Sequence, residues 1–320
     1  MSLIRTIVWQ RELGFMLCAC LLIAACGSGN KRQLVKDAPF ISQEYQDDRG
    51  NSIQLSNKPQ AVISLAPNIT EMIFSIGAED KLAARSQACD FPDAALNVAE
   101  ITTYPQLDLE ALKAVGADLL ITTDEIFTQD DIQHLERLQI PIYQQSYASL
   151  SDVYRCMRDL GQLLGVESQA RQVADSLEAL ESRITTATEN QIKYRTLILI
   201  SNDPLKVVGG TGFLNELIGK AGGLNVFGEM EEAYPTVSVE AILKAQPEFL
   251  ILPSTNDQIY ANLLVQYPAL YNTPADVQKQ VHVIEPDLLY RPGPRMVEGL
   301  MRLTHILHTK LNPQSFLNGQ

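Results

Sequence analysis

The side chains best suited to chemistry in this chain are acids, tyrosines and arginines, and they fall into two patterns. The first is a repeat. Tyr104-Pro105-Gln106-Leu107-Asp108-Leu109-Glu110-Ala111-Leu112 aligns without a gap on Tyr234-Pro235-Thr236-Val237-Ser238-Val239-Glu240-Ala241-Ile242, 130 residues further on. The match runs to Leu120-Ile121 against Leu250-Ile251, with six identities in eighteen positions and Asp118 opposite Glu248. A match of this length marks a duplicated loop, helix and strand. The second pattern is the late group Asp287, Tyr290, Arg291 and Arg295, the arginines flanking Pro292-Gly293-Pro294. Tyrosine rings give large apolar contact at low rotamer cost, and guanidinium forks bind carboxylate, phosphate or catecholate. These are tools for holding a ligand.

Tools for turnover are missing from the sequence. It contains no Gly-x-Ser-x-Gly elbow, P-loop or His-Glu-x-x-His, and His134, His282, His305 and His308 are scattered. His305 and His308 stand at i,i+3 on the last helical pattern and read as surface residues. A free-metal receptor needs several His with carboxylates on strand-end loops, so a metal would reach this chain already chelated.

Alternating strands and helices must position the repeated segments. Residues 61–65 form a short apolar run, followed by a helical pattern through Met72, Ile73 and Ile76 that stops at Gly77. Helices at 109–115 and 132–138 alternate with strands at 117–122 and 141–143. Residues 150–187 carry apolar positions only at helical spacing, with a break near Gly165. A second series follows, with strands at 196–200, 249–252 and 281–284 and helices at 213–219, 239–245 and 294–311. Such alternation predicts two α/β lobes, each a parallel sheet, on either side of a helical connector.

Open parallel sheets bind ligands outside the carboxyl ends of their strands. The duplicated loops therefore face one crevice, and Tyr104 and Tyr234 can clamp a flat or bulky ligand there. Each Tyr-Pro can equally shape a turn with its ring packed on its own lobe. Glu110 and Glu240 lie in first helical turns behind Asp108 and Ser238 as N-caps, where carboxylates offset the helix dipole whatever else they do. Glu71, three residues after Asn68, reads in the same way as part of a capping box. Arg295 can likewise be an exposed residue at a helix start behind Pro294.

At 320 residues the chain can bury a substantial core and divides into more than one domain. Its 46% hydrophobic and 20% charged composition is that of a globular protein, and a formal charge of −13 without a basic stripe argues against nucleic acid. Of five cysteines, Cys18, Cys20 and Cys26 crowd into the start; Cys89 and Cys156 can pair only in an oxidising compartment, and their separation matches no disulfide pattern.

Arg5 and Arg11 precede an apolar run at 13–25, too short to span a bilayer, which ends in Ile23-Ala24-Ala25-Cys26-Gly27. This resembles a bacterial lipoprotein signal, cleaved before Cys26, whose sulfur then carries the lipid. The expected organisation is a signal peptide at 1–25, a tether and N-terminal segment at 26–60, an N-terminal lobe at 61–148, a helical connector at 149–190 and a C-terminal lobe at 191–320. Cleavage would remove Trp9, the one tryptophan.

Ser64-Leu65-Ala66-Pro67-Asn68-Ile69-Thr70-Glu71, Ile76-Gly77, Cys89-Asp90-Phe91-Pro92, Leu109-Glu110-Ala111-Leu112, Asp118-Leu119-Leu120-Ile121 and Arg291-Pro292-Gly293-Pro294-Arg295 together resemble the periplasmic binding proteins of cobalamin and ferric-siderophore ABC importers. The resemblance covers roughly residues 61–310. It implies the class III periplasmic-binding-protein fold, two Rossmann-like lobes joined by a long rigid backbone helix. It also implies an ABC permease and its ATPase as partners, a monomer on the periplasmic side of the envelope, and no covalent group beyond the lipid on Cys26. Cobalamin-binding members have Trp at the positions of Tyr104 and Tyr234 and a carboxylate at Asp287. Asp90 and Phe91 join them as candidate ligand-binding residues, and Tyr290, Arg291 and Arg295, which depart from that pattern, add phenolic and cationic groups beside Asp287. Glu110 and Glu240 match the carboxylates that dock arginines of the permease. Ala88 and Thr123 replace other cleft aromatics, so the full cage is lacking. A corrinoid is favoured as ligand, then a ferric siderophore, then haem, which would need an axial ligand such as Tyr290 or Tyr104.

Overall fold

The computed structural model describes residues 42–318, apart from 105, 124–128, 138 and 257. The signal peptide, Cys26, most of the tether and Pro105 lie outside the described residues. Among the described residues no helix is long and apolar enough to cross a membrane.

The described residues open with an antiparallel hairpin, β1 (Gln43–Gln46) and β2 (Ser52–Leu55), inside the expected tether and N-terminal segment, where no strand was expected. Asp48 in its turn accepts a bidentate pair of bonds from Arg155 at 2.8 and 3.0 Å and another from the Ser146 N–H at 2.8 Å. These bonds fasten the hairpin to the first lobe.

That lobe contains β3 (Val62–Ser64), α1 (Pro67–Ser75), β4 (Leu82–Ser86), β5 (Ala99–Ile101), α2 (Leu109–Val115), β6 (Leu119–Thr123), α3 (Gln129–Glu136) and β7 (Ile142–Gln145). Its sheet is wholly parallel in the order β5-β4-β3-β6-β7. The strand order reverses between β3 and β6, the point at which such sheets form their crevice. Two helices follow, α4 (Leu150–Leu164) and α5 (Glu167–Thr188). A reciprocal capping box between Ser149 and Asp152 starts α4.

The break at Gly165 is a full reversal: this glycine caps α4 in the left-handed region at φ 76°, and α5 runs back along α4. Their close approach is set at Gly161, where an added Cβ would lie 2.3 Å from that of Ala170. α5, about 33 Å long at 1.5 Å per residue, is the backbone helix of the connector. Tyr154 of α4 donates to Glu181 of α5 at 2.8 Å, and Glu181 pairs with Lys220 of the second lobe at 2.7 Å.

The second lobe holds β8 (Tyr194–Asn202), β9 (Leu205–Val207), α6 (Phe213–Lys220), β10 (Gly223–Asn225), α7 (Val239–Ala245), β11 (Phe249–Pro253), α8 (Ile259–Gln266), α9 (Pro274–Val277), β12 (Val281–Ile284), α10 (Asp287–Tyr290), α11 (Met296–Leu307) and α12 (Pro313–Asn318). The strands β10-β8-β11-β12 are parallel, with β9 antiparallel on β8. One apolar cluster runs from Ile69 and Ile73 through Met157 and Ile184 to Leu300 and Leu303, so both lobes share a core through the connector.

The repeat is structural as well as sequential. Helices α2 and α7 occupy the same repeat positions, and so do β6 and β11. Asp108 accepts from the Ala111 N–H at 2.9 Å, and Ser238 accepts from Ala241 at 3.2 Å. The Ala61 N–H donates to the Asp118 carboxylate at 3.1 Å while the Asp118 N–H donates to the Ala61 carbonyl at 2.9 Å. Arg195 and Glu248 make the same two bonds at 2.8 and 2.7 Å. The acids at 118 and 248 thus satisfy the free N–H at the start of each lobe's first strand, which is why the pair survives in the repeat.

Cys89 and Cys156 are both free and buried. His305 is exposed, but His308 is buried against Tyr194, with ring centroids 5.6 Å apart and Nε2 3.3 Å from the Gly222 carbonyl. The i,i+3 reading fails there because α11 ends at Leu307 and turns His308 inward.

Candidate functional site

The carboxyl ends of β3, β4 and β12 bring together six side chains from two stretches, 71–91 and 287–295, that lie more than 190 residues apart in sequence. Glu71, on α1, is at the centre. It accepts from Arg295 Nε at 2.8 Å and Nη2 at 2.6 Å, and from Arg291 Nη1 at 3.1 Å. Arg291 also reaches Asp90 at 2.7 Å and Asp287 at 3.1 Å, and Arg295 reaches Asp287 at 3.5 Å. The Arg295 guanidinium lies over the Phe91 ring, 3.9 Å from its centroid. Asn68 donates to the Pro292 carbonyl at 3.2 Å, and Gly293 lies against it, so the turn between the arginines seats directly on α1.

Exposure sorts the cluster. The side chains of Glu71 and Arg295 are 2% and 6% exposed, Arg291 16%, Asp287 32% and Asp90 57%. Burial pushes the Asp90 carboxyl up, but the hydrogen bond and charge of Arg291, aided by Arg295, hold it below the usual aspartate value. Burial alone would lower both guanidinium pKa values; their carboxylate partners more than offset it and raise them.

Of the expected ligand-binding residues, Asp90, Phe91, Asp287, Arg291 and Arg295 are thus in mutual contact. Arg295 is a buried ion-pair partner rather than an exposed residue at a helix start. Glu71, expected as half of a capping box, is the shared partner of both arginines, and Asn68 caps nothing because α1 begins at Pro67 behind Ala66. The signal that could have revealed it is a lone acid among Ile69, Met72, Ile73 and Ile76, all fully buried.

The tyrosines stand outside this cluster. Tyr104, Tyr234 and Tyr290 are all exposed. The Tyr290 hydroxyl donates to the Ile200 carbonyl at 3.2 Å, and burial, with the nearby Tyr234, pushes its pKa up to about 12. Ala88 is exposed and Thr123 buried. Glu110 and Glu240 are exposed in the first turns of α2 and α7. Glu240 accepts from its own N–H and from Ser238, which lowers its pKa.

The fold matches solved structures closely. The periplasmic vitamin B12 binding protein of Vibrio cholerae superposes with a TM-score of 0.70 at 23% identity, covering 79% of this chain and 98% of that one. A periplasmic heme binding protein of Pseudomonas aeruginosa gives 0.71 at 26% identity, covering 79% and 94%. In sequence, the vitamin B12-binding protein of Vibrio parahaemolyticus is 30% identical over 261 residues, 79% of this chain and 91% of the relative. The model of the family described as periplasmic binding protein matches residues 62–288, well over half of the sequence. Two parallel-sheet lobes and a helical connector agree with that match, and the chain belongs to the periplasmic binding protein family.

Proposed function

We propose that this chain is the substrate-binding lipoprotein of an ABC importer, which captures cobalamin or a related corrinoid in the inter-lobe cleft and delivers it to the permease and its ATPase. The observation that carries the reading is the chemistry available at the strand ends. Tyr104, Tyr234 and Tyr290 are exposed, and Arg291 and Arg295 are already held by three carboxylates of the protein. Such a surface suits a large, flat ligand without net negative charge. The vitamin B12-binding relatives support the same ligand.

A ferric siderophore or haem is the second reading, favoured by the heme-binding neighbour at 26% identity. Against it, an anionic chelate would have to displace a carboxylate from Arg291 or Arg295. Tyr290 could serve haem as a phenolate only by losing its bond to Ile200 and a proton held to about pH 12.

In this proposal residues 1–25 are a lipoprotein signal, Cys26 carries the lipid, and the protein works as a monomer on the periplasmic face. On a cell with one membrane that is the outer face. Tyr104 and Tyr234 face the ligand with Asp90, Phe91, Asp287, Tyr290, Arg291 and Arg295 beside them, and Glu110 and Glu240 face the permease. Their first-turn placement leaves both carboxylates solvated and available, so capping and docking do not compete.

Calorimetry with cobalamin, haem and a siderophore panel, with visible spectra of the purified protein, tests the ligand; a mature chain without Trp9 has no indole to quench. Heat from a ferric chelate and none from cobalamin would replace the first reading with the second. The double variant Glu110→Ala/Glu240→Ala is expected to keep ligand affinity and lose uptake, and lost affinity would refute the docking role.

A further inference from the structure

The six-residue cluster holds more order than ligand capture requires. Three carboxylates meet two guanidiniums, which leaves one net negative charge. The members are not mixed at random with respect to solvent. Both arginines are turned inward, at 16% and 6% side-chain exposure, while Asp90 at 57% and Asp287 at 32% form the exposed edge. Arginines in a cleft usually recruit anions through their forks. Here each fork is bonded to at least two protein carboxylates, and the face of Arg295 is covered by Phe91.

We propose that Glu71 is the positioning residue of a charge filter: by holding Arg291 and Arg295 inward, it leaves the cleft edge of the cluster acidic, so that macrocycles with amide side chains are admitted and the same macrocycles with carboxylate side chains are rejected. This rests on the corrinoid reading and deepens it by naming what sets the permitted charge. Glu71 is the acid suited to this role because it binds both arginines and is itself almost fully buried. It sits on α1, against which the Pro292-Gly293 turn is seated, so both arginines approach the same buried carboxylate. An incoming carboxylate would meet Asp90 and Asp287 first. To reach a guanidinium it would have to displace one of them and leave a protein acid unpaired, which is costly in a partly desolvated site. An amide N–H, a donor, meets acceptors instead.

The test compares two corrins that share a ring and differ in side chains: dicyanocobinamide, which carries amides, and dicyanocobyrinic acid, which carries carboxylates. Binding is read from the visible absorbance of the corrin. Wild type should prefer the amide form by about tenfold or more. Glu71→Gln removes one unit of negative charge, and at separations of roughly 8–10 Å and an effective dielectric of about 20 this should narrow the ratio by roughly twentyfold for each ligand carboxylate at that distance. Asp90→Asn changes an exposed member and keeps the Glu71–Arg295 pair, so it should narrow the ratio too, even if Glu71→Gln does not fold. A wild-type ratio near one, or a ratio unchanged in every variant that melts cooperatively, overturns the filter. If neither corrin binds, the corrinoid reading falls, and haem against its dimethyl ester makes the same comparison. Tighter binding of the ester, narrowed by either variant, then supports the filter, and tighter binding of haem overturns it.

Discussion

Replacing Arg295 with Met should destabilise the protein by about 3 kcal/mol, because breaking a buried ion pair costs roughly 3–5 kcal/mol, most of it from the charge left behind. The lower end applies because Glu71 keeps Arg291 at 3.1 Å, a partial replacement partner. Met fills most of the aliphatic volume of Arg, so little of the loss comes from a cavity. For a domain of 150–250 residues each kcal/mol shifts Tm by roughly 2–4 °C, and the compact unit here, 40–320, is larger. A fall of about 6 °C is expected. Adding Glu71→Leu should then restore much of it, since an apolar pair of similar volume often matches or exceeds a buried ion pair. Scanning calorimetry of wild type, both single variants and the double variant closes the cycle. A single-variant loss under about 1 kcal/mol, or a double variant no better than Arg295→Met, would refute the view that Glu71 and Arg295 form a strongly coupled, desolvated ion pair.

The Asp90–Arg291 bridge should fail in acid. The folded Asp90 pKa lies below its ordinary value of 3.8, so the bridge contributes stability that is complete above that value and is lost as pH falls through the folded pKa. The stability difference between wild type and Asp90→Asn should be constant at neutral pH and shrink as pH falls below the ordinary value of 3.8; a difference that does not shrink there would contradict the assignment. Gly161→Ala should destabilise, against the roughly 1 kcal/mol that Gly-to-Ala exchange gains in a helix, because the new Cβ would lie 2.3 Å from that of Ala170. Overpacking of about 1–3 kcal/mol leaves a net loss readable by urea unfolding, and a stabilised variant would show that α4 and α5 can separate at little cost.

The parts of the fold legible in the sequence are those with a local period long enough to see. Helices at 109–115 and 239–245 and the strand at 281–284 match the structure residue for residue, because capping residues and apolar spacing lie within each segment. β4 (Leu-Ala-Ala-Arg-Ser) and β5 (Ala-Glu-Ile) escaped notice for the opposite reason. They lack β-branched runs and are strands because the parallel sheet beside them supplies partners. β1, β2, β9 and β10, each three or four residues long, are too short to carry a visible period. The chain reversal at Gly165 was visible as a break, but the sequence left its direction open. Gly161 facing Ala170 and Arg158 facing Asp175 fix that direction, and both are contacts between helices.

The site shows a deeper limit. Local grammar assigned Glu71 to a cap on two criteria, Asn three residues before and apolar residues after. What overrode that grammar lies 220 residues away, where Arg291 and Arg295 flank a turn shaped to sit on α1. A cap needs one exposed acceptor for one N–H, whereas two guanidiniums require an acid wherever they are buried, so the stronger demand determines where Glu71 goes. The same reasoning explains why the paired arginines misdirect a sequence reader toward anionic ligands. Their number and spacing suggest an open receptor for carboxylates, but a guanidinium's availability depends on the acids already bonded to it. In this cleft three such acids are present, and the two that reach solvent are the ones an incoming ligand would meet.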